Sequence, residues 1–592
     1  VLQSSQVMNA GKLENRLGGV VNNHTRLLHA TGYGQVLYNY GAINSFSGST
    51  FENYGPFYNY AGASLTSAAG ASTTNLGLIS NAGSWVNAGT FEQRWENVTG
   101  APARKFTNSG SLVNSGTMTI KTKTVLESTG SFTNAGTLNN GSTTITSSGS
   151  WLNSGVLNLT GDLGVGTTAG LSVFNSTGTF TNTGTLNNVN GTFKNRGSLV
   201  NDGTLQNSTS NWIGDWGRFY NYAGASLVNH GQFVTNHVLD NGGTITNSGT
   251  MQVDYQLNNL AGATLTSTAG AVIKGGLYNY GTFDNTGSVG YVANRGVMRN
   301  HAGAAQNNWG LDNFGTLTNE AGAGLSGVMA VSNAAGATLV NHGSMYHWYA
   351  DIYPNATTNA GTLINDGSLY NARTFYNAGT LQNLGSFTGN RYGSLVQTAG
   401  ETVNAGSLYQ EVIDIQGGSF VLQHGSLGAA SLTNAGVFRG EGAVTVANFS
   451  NAGALAPGET IGTLAITGDF VQQAPGRLDI ELGGLVQGSG YDLLSITGQA
   501  RLDGTLGVVL ANGLNLASGT SFDILHADGG ITGTFGTLLL PALPDKLGWT
   551  VHYTGTDVLL QVGTVSPPVP EPGTFALLGL GLAGLMLRRR QG

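Results

Sequence analysis

The chain has 592 residues, a net charge of −7, no cysteine, and 94 glycines against 11 prolines. Without cysteine there is no disulfide framework and no thiolate metal site. The 23 scattered Lys and Arg form no basic stripe for nucleic acid. Only 9% of residues are charged while 40% are hydrophobic, the reverse of the composition that keeps a chain disordered.

Val1 to Ala10 has neither a basic region nor an apolar core, and a repeat opens at once with Asn9-Ala10-Gly11. The chain is therefore expected to start after a removed leader. From there to Asn451 a six-residue unit recurs: Gly, Ser/Thr, Leu/Phe, any residue, Asn, any residue. Its clearest run, 361–390, reads GTLIND, GSLYNA, RTFYNA, GTLQNL, GSFTGN. Three units make an 18-residue turn. Asn341, Asn359 and Asn377 keep that spacing, as do Asn365 and Asn383, so equivalent residues are expected one turn apart. Elsewhere the step varies: Asn134 to Asn153 is 19 and Asn153 to Asn182 is 29, which predicts loop insertions in some turns.

Each unit suits one short side of a coiled strand. Ser, Thr and the β-branched or aromatic residues favour extended backbone. The Leu or Phe points inward because side chains alternate. Gly is expected to supply the positive φ of the corner, which Asn also tolerates. The Asn amide can also bond its equivalent one coil away. A single unit cannot bury its apolar residue alone, so stability must come from stacking. Gly or Asn every few residues excludes helix. The expected fold is all-β, a β-solenoid (parallel β-helix) of about 18–20 residues per coil over residues 1–455. Three short faces with variable coil lengths resemble the right-handed passenger helices of secreted adhesins, and right-handed winding is expected, although a strict hexapeptide winds equally well left-handed.

Tyr-Asn-Tyr occurs four times, as Tyr38/Tyr40, Tyr58/Tyr60, Tyr220/Tyr222 and Tyr278/Tyr280. Leu37, Phe57, Phe219 and Leu277 take the inward position before each. The first Tyr then faces out and the second sits near the corner. The first two copies are 20 residues apart, about one coil, so their rings should stack. Such a strip suits glycan binding or self-association, since Tyr offers an apolar body with a polar tip. The alternative is a ladder that only stiffens the coil.

Catalytic candidates are few. β-Helical polysaccharide-degrading enzymes need carboxylates converging on one groove. Asp202, Asp215, Asp240 and Asp254 fall in neighbouring turns, but Asp202 and Asp240 stand in turn sequences where Asp is expected anyway. The ten His do not cluster; His342 and His347, five apart, could share an edge, but solvated loop positions are the plainer expectation. No catalytic residue, metal site or cofactor is expected.

After Asn451 the pattern changes. LDIEL (478–482), YDLLSITG (491–498), ARLDGTLGVVL (500–510), FDIL (522–525) and WTVHY (549–553) read as longer alternating strands, and residues 456–562 form a β-rich cap for the open end of the coil. Pro457-Gly458, Gly462-Thr463-Leu464, Thr467-Gly468-Asp469-Phe470 and Asp492-Leu493-Leu494-Ser495-Ile496-Thr497-Gly498 resemble the C-terminal end of autotransporter passengers. The departure is that only thirty residues follow Val562, too few for the attached outer-membrane barrel of that family.

Residues 563–592 hold Pro570-Glu571-Pro572, an apolar stretch from Thr574 to Leu587 expected to form a short helix, and Arg588-Arg589-Arg590. This order resembles the PEP-CTERM sorting signal. The resemblance implies a Gram-negative-type bacterium, recognition and cleavage by an exosortase, and release to the cell surface or matrix. The apolar run is shorter than the ~20 residues that span a bilayer comfortably. The three Arg would hold that end in the cytoplasm, which gives transient inner-membrane anchoring. The expected role is a non-enzymatic structural or adhesive protein of exopolysaccharide or biofilm, with exopolysaccharide or itself as partner and no nucleic acid. The alternatives are a polysaccharide-degrading enzyme and a self-assembling filament subunit.

Overall fold

The computed structural model describes residues 2–9, 11–29, 35–94, 104–121, 124–141, 144–160, 173–208, 217–308, 310–327, 331–347, 356–511, 513–544 and 546–565. They are strands and turns throughout, with no helix among the described residues. The apolar helix expected at 574–587 lies outside them. The chain divides into two units, Val1–Arg373 and Thr374–Gly592.

The first unit is a parallel β-solenoid with three short strands per coil. One face runs through Leu37–Asn39, Phe57–Asn59, Ile79–Asn81 and Arg104–Asn108, each pairing in parallel with the next. A second runs through Ser84–Asn87, Ser111–Asn114, Ser131–Asn134 and Ser150–Asn153. The third runs through Thr90–Gln93, Thr117–Ile120, Thr137–Gly141 and Val156–Thr160. The repeat unit is one such strand. Its Leu or Phe points inward, as at Leu112, Phe132 and Phe180, and Trp151 takes the same place, all essentially buried. Each such side chain contributes about 1.5–3 kcal/mol by leaving water, but only when the coils above and below cover it.

The Asn of the unit also points inward and is fully buried. Its amide forms a continuous column. Asn87 Nδ2 donates to Asn114 Oδ1 at 2.8 Å, Asn114 to Asn134 at 2.7 Å, Asn134 to Asn153 at 2.7 Å and Asn153 to Asn182 at 2.7 Å. The same Nδ2 reaches a backbone carbonyl at the start of the next strand, as Asn134 to Val156 O at 3.0 Å. Amides inside this run are thereby satisfied, which removes the usual cost of an interior polar group, while Asn87 Oδ1 at its first member accepts no hydrogen bond. Among the described Asn residues only Asn190 has a positive φ, so hydrogen bonding, not backbone tolerance, accounts for the Asn of the repeat.

The expected role of Gly needs the same correction. In the Asn-x-Gly corners at Gly116, Gly136 and Gly155 φ is not positive. A Cβ on Gly136 would instead overlap the Gly116 carbonyl oxygen one coil away, and one on Gly155 would overlap that of Gly136. Close approach of stacked backbones selects Gly there. Positive φ belongs to the longer Ala-Gly-Ala corners, as at Gly62 (φ 83°) and Gly262 (φ 80°).

Coil length varies along the columns, which Ser147, Ser176 and Ser267 interrupt with buried hydroxyls that make no hydrogen bond. Successive Asn partners are 15 residues apart at Asn279–Asn294 and 29 at Asn153–Asn182. The 18-residue spacing of Asn341 and Asn359 is not a stacking distance. Asn341 bonds Asn365 and Asn333 bonds Asn359, so stacked partners here are 24 and 26 residues apart.

In the second unit parallel pairing continues well past residue 455. Val437–Asn451 pairs with Thr463–Gln472, Arg477–Leu482 with Thr505–Leu510, and that strand with Thr537–Leu539. The composition change after Asn451 marks longer strands rather than an end to stacking. Two antiparallel pairings come last: Asp557–Thr564 lies against Ser521–Ala527 on one side and Leu547–Tyr553 on the other. The autotransporter-like segments meet across adjacent coils. Asp492 Oδ1 accepts from Gly462 N at 2.9 Å, and Asp469 Oδ1 from Gln499 N at 2.8 Å. Gly468 N donates to Thr497 Oγ1 at 3.1 Å. Burial pushes the Asp492 carboxyl up to about 7 although it also accepts from Glu481 N at 2.7 Å.

Candidate functional site

All four Tyr-Asn-Tyr copies lie on the first face of the first unit. Leu37, Phe57, Phe219 and Leu277 fill the interior, and Asn39, Asn59, Asn221 and Asn279 sit in the amide column. That fixes the tyrosines outward, half-buried except for the exposed Tyr280. Strand pairing carries this face from Tyr58 through six intervening coils to Tyr220, and from there through two more to Tyr278.

The copies form three clusters. In the first, Tyr38 stacks on Tyr58 with centroids 5.6 Å apart, and Tyr40 on Tyr60 at 4.3 Å. Lys12 Nζ lies 5.0 Å from the Tyr38 ring. The Tyr60 hydroxyl, hydrogen-bonded to that of Tyr40, titrates above its ordinary value. In the second, Tyr220 and Tyr222 are 5.7 Å apart, and the Arg196 guanidinium covers Tyr222 at 3.7 Å. In the third, Tyr278 meets Tyr291 edge-on at 6.1 Å, the Tyr291 hydroxyl donates to Asp312 Oδ2 at 2.7 Å, and Arg295 lies 4.2 Å from the Phe314 ring and 6.0 Å from that of Tyr280. Burial and the Asp312 carboxylate push the Tyr291 hydroxyl well above its usual range. Beside Tyr291, Lys274, Gly275, Gly276 and Ser288 line a cavity of about 570 Å³ where the coil is shortest.

Lys12, Arg196, Tyr291, Arg295 and Phe314 were not picked out by the sequence reading. A signal for three of them was present. Asn195-Arg196-Gly197, Asn294-Arg295-Gly296 and Asn313-Phe314-Gly315 repeat the frame of Asn39-Tyr40-Gly41, so their middle residues share one corner.

Of the carboxylates considered for catalysis, the three that are described occupy different positions on the coils. Asp202 occupies a corner after the second face, facing His230 Nδ1 at 2.5 Å. Asp240 faces out from the first face and accepts from Asn258. Asp254 lies at another corner beside Gln252. Asp215 lies outside the described residues.

The histidines are neither uniformly solvated nor scattered. His29, His237 and His347 are buried, and His29 and His347 replace Asn in an amide column. His342 faces solvent, so it does not share an edge with His347. His301, Glu320, His342 and Asp366 occupy the same corner on four successive coils. In that column His301 Nδ1 is 2.9 Å from Glu320 and His342 Nδ1 is 2.7 Å from Asp366.

Pro570, Glu571, Pro572 and Arg588, Arg589 and Arg590 lie outside the described residues. Among the described residues no helix is long and apolar enough to cross a membrane. No curated protein matches the chain. Residues 568–590 match the PEP-CTERM protein-sorting motif, which makes this chain an exosortase-sorted β-solenoid addressed for export toward the cell surface.

Proposed function

We propose that the exported solenoid is a structural and adhesive element of the extracellular matrix, binding exopolysaccharide through its tyrosine-bearing face, and that it is not an enzyme. The observation that carries this reading is the alignment of three aromatic–cation clusters on one face of a stacked scaffold. Ring faces suit the apolar faces of sugars, and flanking Lys and Arg suit their hydroxyl or acidic groups. With coils about 4.8 Å apart, the first two clusters are separated by roughly 40 Å, several sugar residues, so weak contacts add along one chain. Transient anchoring through residues 574–587, with the three Arg on the cytoplasmic side, precedes release by the exosortase. The dispersed carboxylates support a non-catalytic role.

The test is co-sedimentation of the full chain with exopolysaccharide from its own cells. Tyr38→Ser combined with Tyr58→Ser should weaken binding several-fold, and adding Tyr220→Ser should weaken it further. Unchanged binding in the triple variant rejects the tyrosine face as the contact surface.

A further inference from the structure

We infer that Asp523, His526 and Asp557 form a binding site for a first-row divalent cation, with Zn²⁺ the best match. No metal site is expected from the sequence, where the ten His do not cluster and Asp557 lies about thirty residues from Asp523 and His526. The fold brings them together. His526 pairs with Asp557 across the antiparallel strands Ser521–Ala527 and Asp557–Thr564. A register shift between Asp523 and Leu525 turns both Ile524 and Leu525 into the core. Asp523 and His526, three apart, therefore share the outer face, where strict alternation would separate them. One ligand atom from each of the three residues lies within 4.8 Å of the others. Donors at ~2.0–2.2 Å from one tetrahedral ion stand about 3.3–3.6 Å apart, so small side-chain rotations bring the three into range.

The surrounding groups orient these donors as outer partners do in metal sites. Asp557 Oδ2 accepts from Thr554 Oγ1 at 2.9 Å and Thr556 Oγ1 at 2.7 Å, which leaves Oδ1 aimed at His526 Nδ1, 2.6 Å away. His526 Nε2 lies 3.1 Å from Asp528 Oδ1. A histidine that ligates through one ring nitrogen usually gives its other N–H to a carboxylate in this way. Asp523 Oδ1 is shielded from solvent and makes no hydrogen bond. An oxygen in that position needs a cation or a donor. Three carboxylates thus surround one imidazole, and among the described residues no Lys or Arg forms an ion pair with any of them. One nitrogen and two oxygens favour Zn²⁺ over Ca²⁺ or Mg²⁺, which take oxygen ligands. Water would complete the coordination of this half-buried site. Bound there, the ion would pin Asp557–Thr564 to the last long strand of the parallel stack.

The test is calorimetric titration of the chelator-stripped full chain with ZnCl₂. One saturable equivalent is expected, weakened at least tenfold by Asp523→Asn and by His526→Gln. Asp523→Asn leaves the His526–Asp557 contact intact, and circular dichroism checks its fold. Asp528→Asn, which touches only the outer partner, should weaken binding about 10–100-fold. The double variant His301→Asn/His342→Asn separates this site from the exposed histidine column and should leave the equivalent unchanged. Absence of saturable Zn²⁺ binding overturns the assignment, and so does binding insensitive to Asp523→Asn and Asp528→Asn.

Discussion

Replacing Asn134 with Ala tests whether the buried amide column holds the coils together. Asn134 accepts from Asn114 Nδ2 at 2.7 Å and donates to Asn153 Oδ1 at 2.7 Å and to Val156 O at 3.0 Å. Alanine removes these three bonds and the longer one from Asn134 Nδ2 to Gly136 O at 3.3 Å. Asn114 Nδ2 keeps Thr137 O at 3.1 Å, and Val156 O keeps its strand, but Asn153 Oδ1 is left buried without its donor. An orphaned buried acceptor costs about 1–3 kcal/mol and each other bond roughly 1 kcal/mol net, so the expected loss is about 2–4 kcal/mol. Asn139→Ala is the control. Its amide accepts from Asn158 at 2.8 Å on the half-buried outer surface, where water can replace the bond, and a loss within ~0.5 kcal/mol is expected. Urea unfolding compares the two variants, with amide exchange at Ala135 and Gly136 reporting local opening. Equal destabilisation by the two variants would refute the column as a source of cohesion.

Other consequences follow from the same geometry. Gly136→Ala should destabilise by about 1–3 kcal/mol because its Cβ meets the Gly116 carbonyl, whereas Gly141→Ala, with its nearest atom 3.8 Å away, should be neutral or slightly stabilising in the same unfolding assay. Asp492 makes stability fall with rising pH. Its folded value of about 7 exceeds the ordinary 3.8, so the folded state keeps a proton that the unfolded state has lost. The contribution is complete below ~4 and disappears as pH rises through 7, at no more than about 1.4 kcal/mol per pH unit. Unfolding free energies from pH 4 to 8 should lose this slope in Asp492→Asn. Replacing Pro570, Glu571 and Pro572 with Ala should leave unprocessed protein in the membrane fraction, read by immunoblot of fractionated cells.

Much of this fold was legible because one physical unit repeats. Leu363, Leu369, Phe375, Leu381 and Phe387 are the apolar residues of the five clearest hexads, and all are buried. The stacking of Tyr38 on Tyr58 followed from alternation and a 20-residue step. Spacing failed where coil length changes, since it cannot tell an equivalent residue from one on another face. That is why Asn341 and Asn359 are not partners. It failed again for glycine, whose role at Asn-x-Gly corners depends on a carbonyl one coil away. Charged neighbours such as His301 and Glu320 are invisible until the corner they share is known. The cluster at Asp523, His526 and Asp557 depends on an antiparallel pairing and a register shift that no local pattern announces.

The central claim is a matrix-binding solenoid without catalysis. Its most direct test incubates the full chain with exopolysaccharide from its own cells and follows co-sedimentation together with new reducing or unsaturated sugar ends in the same tubes. The account predicts that protein sediments with the polysaccharide and no new ends appear. Accumulating sugar ends, or protein that stays in the supernatant, would contradict it.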